Sequence, residues 1–282
     1  MTNSNDSTDP SPDFGSDISP ELVGEIKSLA PWHHDIQLTE TFSTGIVFSD
    51  DRVLLPKENQ GVSLISPDKR FFQRANSLYP DGMSGVRFLD CACNGGIYCF
   101  LARQLDAELA VGFDVRDHWI NQAKFVQKHR QIHPTDRIEF HVSDLYDLPS
   151  KKLDTFHLTY FSGLFYHLPD PITGLKIAAD LTEDILVLNT SCLPKNDHPY
   201  GLTMSMESRE VVMSGVHALA WLPNSPELLC NVLAWLGFKQ IKLTIDNVNP
   251  TSKRRRVELI ASRNKGRLDN LAGTEMEVPG QA

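Results

Sequence analysis

The stretch Phe88-Leu-Asp-Cys-Ala-Cys-Asn-Gly-Gly-Ile-Tyr-Cys-Phe100 restricts the fold more than any other part of the chain. An apolar strand ends on Asp90, the chain turns through Gly95-Gly96, and an apolar helix opens at once. Gly96 lets the backbone approach a ligand where a side chain would clash, and the helix behind it offers unpaired N–H groups. Together these make a cradle for a nucleotide-type cofactor. A second strand, Leu109-Ala-Val-Gly-Phe-Asp114, ends on another carboxylate. Its distance along the chain is close to the ~20 residues at which an acid meets ribose hydroxyls in a βαβ unit.

Strand-like and helix-like patterns alternate from there. Apolar runs near 86–90, 109–114, 138–142, 154–161 and 185–190 are separated by helical periodicity near 96–105, 117–131 and 171–181. This predicts an α/β fold, a Rossmann-like, doubly wound and mostly parallel sheet. A helix over 225–236, stopped by Gly237, and strands near 239–246 and 256–262 complete an expected seven-stranded sheet over residues 86–263. Ahead of it, Ser19-Pro20 reads as a helix start, and 19–85 reads as a turn-rich cap with a second helix over 71–78. Residues 1–18 and 264–282 show no apolar periodicity and are expected to be disordered tails.

At 282 residues the chain suits one large domain, since single cores stop growing near ~250–300 residues. No apolar run approaches the ~18 residues of a membrane span, and residues 1–17 carry no Lys or Arg, so no membrane partner and a cytoplasmic location are expected. Five cysteines without a C-x-x-C pair read as reduced packing residues, with no metal site. A net charge of -9 counts against a broad nucleic-acid surface. Lys253-Arg-Arg-Arg256 is a local basic run, either a binding patch or a solvated strand entrance.

A dinucleotide fingerprint, G-x-G-x-x-G, fits poorly, because Ala92, Asn94 and Ile97 stand at its glycines. The Asp-led turn instead resembles motif I of class I S-adenosylmethionine (SAM) methyltransferases, D-x-G-C-G-x-G, with Ala92 and Asn94 at two of the glycines. Three further stretches resemble a narrower group, the relatives of the bacterial tRNA wobble-uridine (5-carboxymethoxyuridine) carboxymethyltransferase. Cys93, Asn94, Gly96 and Tyr98 keep that group's form of motif I, Ser162-Gly-Leu-Phe-Tyr-His167 its motif IV, and Trp221-Leu-Pro-Asn224 with Gly237-Phe238 a later element. Trp32-His-His-Asp-Ile36 is similar to its upstream aromatic-histidine segment.

The resemblance implies SAM as cofactor. Asp114 would bind the ribose, and the turn from Asp90 through Cys91, Ala92, Asn94, Gly95 and Gly96 would cradle the methionine end. Asp144 would meet the adenine amino group or cap a helix, and Ser162 would line the donor side. Tyr166 and His167, after the fourth strand, are the catalytic candidates: His167 as a base or as a loop anchor, Tyr166 as a pocket wall or as packing. Trp32, His33, His34, Trp221 and Asn224 are candidates for the acceptor side, the last two equally a structural turn. Arg256 matches a basic residue near the active site of the carboxymethyl-transferring member, whereas Thr44 replaces the lysine that holds that member's extra carboxylate. A plain methyl donor is therefore expected, with O-methylation of a small-molecule or glycan-like acceptor. The alternatives are tRNA modification and a catalytically silent SAM-fold subunit.

Overall fold

The computed structural model describes residues 19–50, 53–54, 59–60, 62–194, 198–250 and 255–278. Helix α1 (Pro20–Ser28) starts where the sequence places it: the Ser19 hydroxyl accepts from the Leu22 N–H at 3.2 Å, and proline fills the first helical position. The two-residue strands β1 (Ser49–Asp50) and β2 (Val53–Leu54) pair antiparallel, and α2 (Asp68–Leu78) follows. Then come β3 (Arg87–Cys91), α3 (Ile97–Gln104), β4 (Leu109–Asp114), α4 (Asp117–His129), β5 (Ile138–Val142), β6 (Phe156–Ser162), α5 (Pro171–Asp180) and β7 (Thr182–Cys192). The chain continues through β8 (Leu202–Met206), β9 (Leu219–Pro223), α6 (Pro226–Trp235), β10 (Gln240–Val248), β11 (Arg255–Ser262) and β12 (Thr274–Glu275).

The main sheet runs β12-β10-β11-β7-β6-β3-β4-β5. Strands β7, β6, β3, β4 and β5 are parallel, and β11 enters antiparallel between β7 and β10. Each strand alternates its side chains between two apolar layers, as its period of two requires. Phe88, Tyr160, Val187 and Ile260 belong to one layer, and Leu89, Cys91, Phe161 and Leu259 to the other. The N-terminal segment is part of the first layer, where Ile26, Trp32, Ile36, Leu38 and Phe42 pack with Phe71, Ala75 and Leu78 of α2. Gln122 of α4 ties it down by donating to the carbonyls of Leu29 (2.7 Å) and Pro31 (2.8 Å).

Among the described residues the sheet has eight strands rather than seven, and the stretch from Asn264 is not a tail over its described part. Leu268 is fully buried, and its N–H donates to Gln240 Oε1 at 2.9 Å. Arg267 bridges Asp184 (3.0 Å) and the Leu78 carbonyl (2.7 Å), and β12 then pairs with β10. Two leucines three residues apart are too few to show as a period in sequence. The β8–β9 hairpin was likewise not expected; it leaves the main sheet and reaches over the carboxyl ends of the parallel strands.

Candidate functional site

The chain leaves β3 for β4 on one side, while β6 lies against β3 on the other. Such a switch point opens a crevice at the carboxyl ends of the strands. Here it is a cleft of about 920 Å³, lined in part by Asp90, Ala92, Asn94, Asp114, Asp144 and Ser162. His33, His34, Tyr166, His167 and Arg256 line it as well.

The turn after β3 is held in an unusual backbone form. Ala92 (φ 59°), Asn94 (φ 52°) and Gly96 (φ 80°) all adopt the left-handed region, at the three positions where motif I has glycine. The substitutions therefore leave the shape of the cradle intact. Asn is tolerated there because its side chain bonds locally, and Asn94 Oδ1 accepts from the Gly95 N–H at 2.7 Å. Ala92 has no such compensation. Asp114 braces the turn from the next strand, accepting from the N–H of Asn94 (3.1 Å) and of Arg116 (3.0 Å). Each carboxylate oxygen keeps acceptor capacity for a hydroxyl. Burial pushes the Asp114 carboxyl above its ordinary range, against the pull of those N–H groups.

Asp90 is 2% exposed, and its Oδ2 has no hydrogen-bond partner among the described residues. Burial, and secondarily the Asp114 charge, hold its carboxyl well above the usual range. Asp144 lines the cleft and also caps the turn that follows β5, its Oδ1 accepting from the Tyr146 N–H at 3.0 Å. Both readings of that residue are compatible in one geometry.

At the other end of the cleft, His167 Nδ1 lies 2.7 Å from Glu207 Oε2. The same carboxylate oxygen accepts the Gly215 N–H at 2.9 Å, which fixes it. Burial lowers the His167 pKa below its ordinary value, and the Glu207 bond partly offsets that. A neutral imidazole that donates from Nδ1 leaves its lone pair on Nε2. Tyr166 packs on the His167 ring with centroids 4.1 Å apart, and its hydroxyl lies 3.4 Å from Arg256 Nη1. His33 and His34 are both held below the ordinary histidine range by burial, and neither Nδ1 has a partner among the described residues.

Several expected residues do not reach the cleft. Cys91 alternates onto the opposite face of β3 and is buried there. Gly95 and Gly96 lie behind the turn: a Cβ at Gly96 would stand 2.5 Å from Phe140 Cζ, so its missing side chain makes room for β5 rather than for a ligand. Trp32 is fully buried, its ring N–H donating to the Ile26 carbonyl at 2.9 Å. Trp221 and Asn224 hold the β8–β9 hairpin, Asn224 accepting from Thr203 (2.9 Å) and donating to the His198 carbonyl (2.8 Å). Thr44 is also buried in the N-terminal segment, where its Oγ1 accepts from the Ile36 N–H.

Arg74, Tyr160, Asn189 and Glu258 line the cleft without having been anticipated. A signal existed: Arg74 sits between apolar residues of α2, and Glu258 interrupts the apolar run of β11. Glu207 offered none, because its role depends on the hairpin folding back onto His167.

The model of the methyltransferase-domain family matches residues 83–228. The chain belongs to that family. Among curated proteins it is similar to the tRNA U34 carboxymethyltransferase of Tolumonas auensis, 26% identical over 173 residues that cover 60% of this chain and 49% of that protein. The enzyme of the same name from Nautilia profundicola is 30% identical over 115 residues, 40% of this chain and 36% of that protein. The chain thus spans about half the length, or less, of the curated relatives it matches. Among solved structures, the N-terminal domain of EvdMO1, determined in the presence of S-adenosylhomocysteine (SAH) and D-fucose, superposes with a TM-score of 0.65 at 17% identity, covering 89% of this chain and all of that one. The bifunctional kinase-methyltransferase WbdD gives 0.55 at 16% identity, covering 90% of this chain and 49% of that one. These likenesses show the Rossmann-like methyltransferase fold.

The methyltransferase cleft also fits the family's cofactor, SAM, on its own chemistry. Asp114 retains acceptor capacity toward two vicinal hydroxyls, and the orphaned Asp90 oxygen calls for a cationic donor such as the methionine ammonium. No helix among the described residues is long and apolar enough to cross a membrane.

Proposed function

We propose that this methyltransferase moves a methyl group from SAM to a hydroxyl oxygen of a small, hydroxyl-rich acceptor. The observation that carries the reading is the His167–Glu207 pair at the mouth of the cleft. An amine that arrives neutral attacks a methyl sulfonium unaided, whereas a hydroxyl must lose its proton as the new bond forms. Bound SAM would supply an electrophilic methyl, with the thioether of SAH as its leaving group. His167 takes the hydroxyl proton at Nε2, and Glu207 holds the ring in that tautomer and stabilises the imidazolium. Tyr166, His33 and His34 line the cleft and keep water out, so that alignment supplies most of the remaining rate. A sugar-like acceptor accords with the cleft's size, and a domain of this fold has been crystallised in the presence of D-fucose.

The test is kinetic. His167→Ala should lower turnover by about 10²–10⁴ while SAH affinity, measured by calorimetry, stays within twofold. With its pKa below the ordinary histidine value, His167 is in its basic form at neutral pH, so turnover should fall as pH drops through that depressed value. Glu207→Gln removes a cause that raises the pKa, so the inflection should move to lower pH. Unchanged turnover and an unmoved pH profile would remove the base. The names of the curated relatives favour tRNA modification as the second reading, and the net charge of -9 opposes it.

A further inference from the structure

Where the cleft leaves the donor turn, its charge is not balanced. Arg74 and Glu258 are buried together, with Arg74 Nη2 2.6 Å from both carboxylate oxygens. That carboxylate also accepts from Asn189 Nδ2 (3.0 Å) and Thr244 Oγ1 (2.7 Å), so it is fully engaged. Asn189 turns its remaining oxygen to Arg256, whose Nε donates to it at 2.5 Å. Arg256 thus has Nε held by a neutral amide, and Nη1 lies 3.4 Å from a neutral phenol. It is half-buried, and no carboxylate among the described residues pairs with it. One turn of α2 adds Lys69 and Arg70 to the same wall, both exposed and both without an acidic partner among the described residues.

A guanidinium taken partly out of water is stabilised by an opposite charge, and the protein supplies none here. The acids of the donor turn do not supply it. Arg256 lies on β11, three strands from Asp90 on β3, which at the usual strand spacing is about 14 Å across the sheet, and the strand register sets it further along, since Ile260 is the β11 residue level with Asp90. It lies beside Tyr166, whose ring packs on that of His167. We infer that the acceptor is itself an anion, a small hydroxyl-bearing molecule with a carboxylate or phosphate group that Arg256 binds in the cleft and Lys69 and Arg70 draw in at the rim. The inference rests on the methyltransferase reading above and narrows its substrate class. A net charge of -9 elsewhere on the molecule makes a polyanion a poor occupant, and a compact anion a good one.

The experiment is thermal unfolding of the full chain, with and without saturating SAH, in the presence of glucose, glucuronate or glucose 1-phosphate. Binding to the folded state raises Tm in proportion to occupancy. Either anionic sugar should raise Tm at concentrations at least tenfold below those at which glucose does. Arg256→Gln should abolish that difference, Arg256→Lys should keep part of it, and the pair Lys69→Ala with Arg70→Ala should weaken it and remove its salt dependence. The SAH-induced shift should persist in every variant. Equal shifts with glucose and both anions, or an anion shift unaltered by Arg256→Gln, would overturn the inference while leaving the methyltransferase reading in place. Loss of the SAH shift in Arg256→Gln would reassign the charge to the donor and overturn it as well. If SAH itself shifts nothing in the unmodified protein, both readings fall together.

Discussion

Asp90 holds a carboxylate oxygen without a partner among the described residues, in a place where water barely reaches it. Its folded pKa lies above the unfolded value of about 3.9, so its contribution to stability is fully present below that value and is lost as pH rises through the raised one. Neutralising this site with Asp90→Asn should therefore raise the Tm of the free protein at pH 8 and at the same time weaken SAH binding. In the unmodified protein SAH should bind with release of a proton, seen as a dependence of calorimetric heat on the buffer's ionisation enthalpy. No buffer dependence, or tighter binding by the variant, would refute the assignment. Ala92 makes a second, independent case. A non-glycine residue in the left-handed region costs about 1–2 kcal/mol, so Ala92→Gly should stabilise the free protein by up to about 1 kcal/mol after the entropy of the added glycine is deducted. An unchanged or lower melting temperature would show that the cradle is relaxed as it stands. At this scale the sequence was readable where an acid closes an apolar strand, as Asp114 does for β4 and Asp90, one residue before the end, does for β3. It misled at Gly96, since a glycine says that something comes close but not what: here Phe140 rather than a ligand.

The elements that sequence reading found are those whose apolar pattern is complete within one segment. Strands β3 to β7, β10 and β11 and helices α3 to α6 lie close to where alternation and helical periodicity put them. The β8–β9 hairpin has no such pattern, because β8 is exposed along most of its length. What it contributes, Glu207 on His167, is a contact between segments 40 residues apart. The segment after Asn264 escaped for a related reason: its two buried leucines dock on side chains of β10 and α2 rather than on each other's period. Truncation before Asn264 should expose the sites of Leu268 and Leu271 and break the Arg267–Asp184 pair. At about 1.5–3 kcal/mol for each buried leucine, the loss would be about 3–6 kcal/mol, a large part of a typical domain's stability. Calorimetry should show a Tm fall of many degrees. A truncated chain that melts with the full one would make this docking superficial.

Across the whole molecule, charge is what separates the two acceptor classes. Single-stranded RNA binding scales with the phosphates neutralised, the logarithm of affinity falling by about 0.7 for each per tenfold rise in salt. The basic run ahead of β11 does not supply such a surface over its described residues: Arg255 is closed by Asp246 at 2.6 and 2.7 Å, and Arg256 points into the cleft. Lys253 and Arg254 lie outside the described residues. Of the other cations lining the cleft, Arg116 is held by the Ser214 carbonyl, and Lys69 and Arg70 at the rim suffice to steer one small anion in a protein of net charge -9. A uridine-containing anticodon stem-loop should therefore bind no more tightly than a random hairpin of equal length, and should accept no methyl group from radiolabelled SAM. Glucose 1-phosphate affinity should meanwhile decline only slightly between 50 and 200 mM salt, the mark of one or two charges rather than many. Tight stem-loop binding with a steep salt slope, together with label transfer to the RNA, would displace the small acceptor. The cations that carry it would then have to come from residues other than the rim of α2.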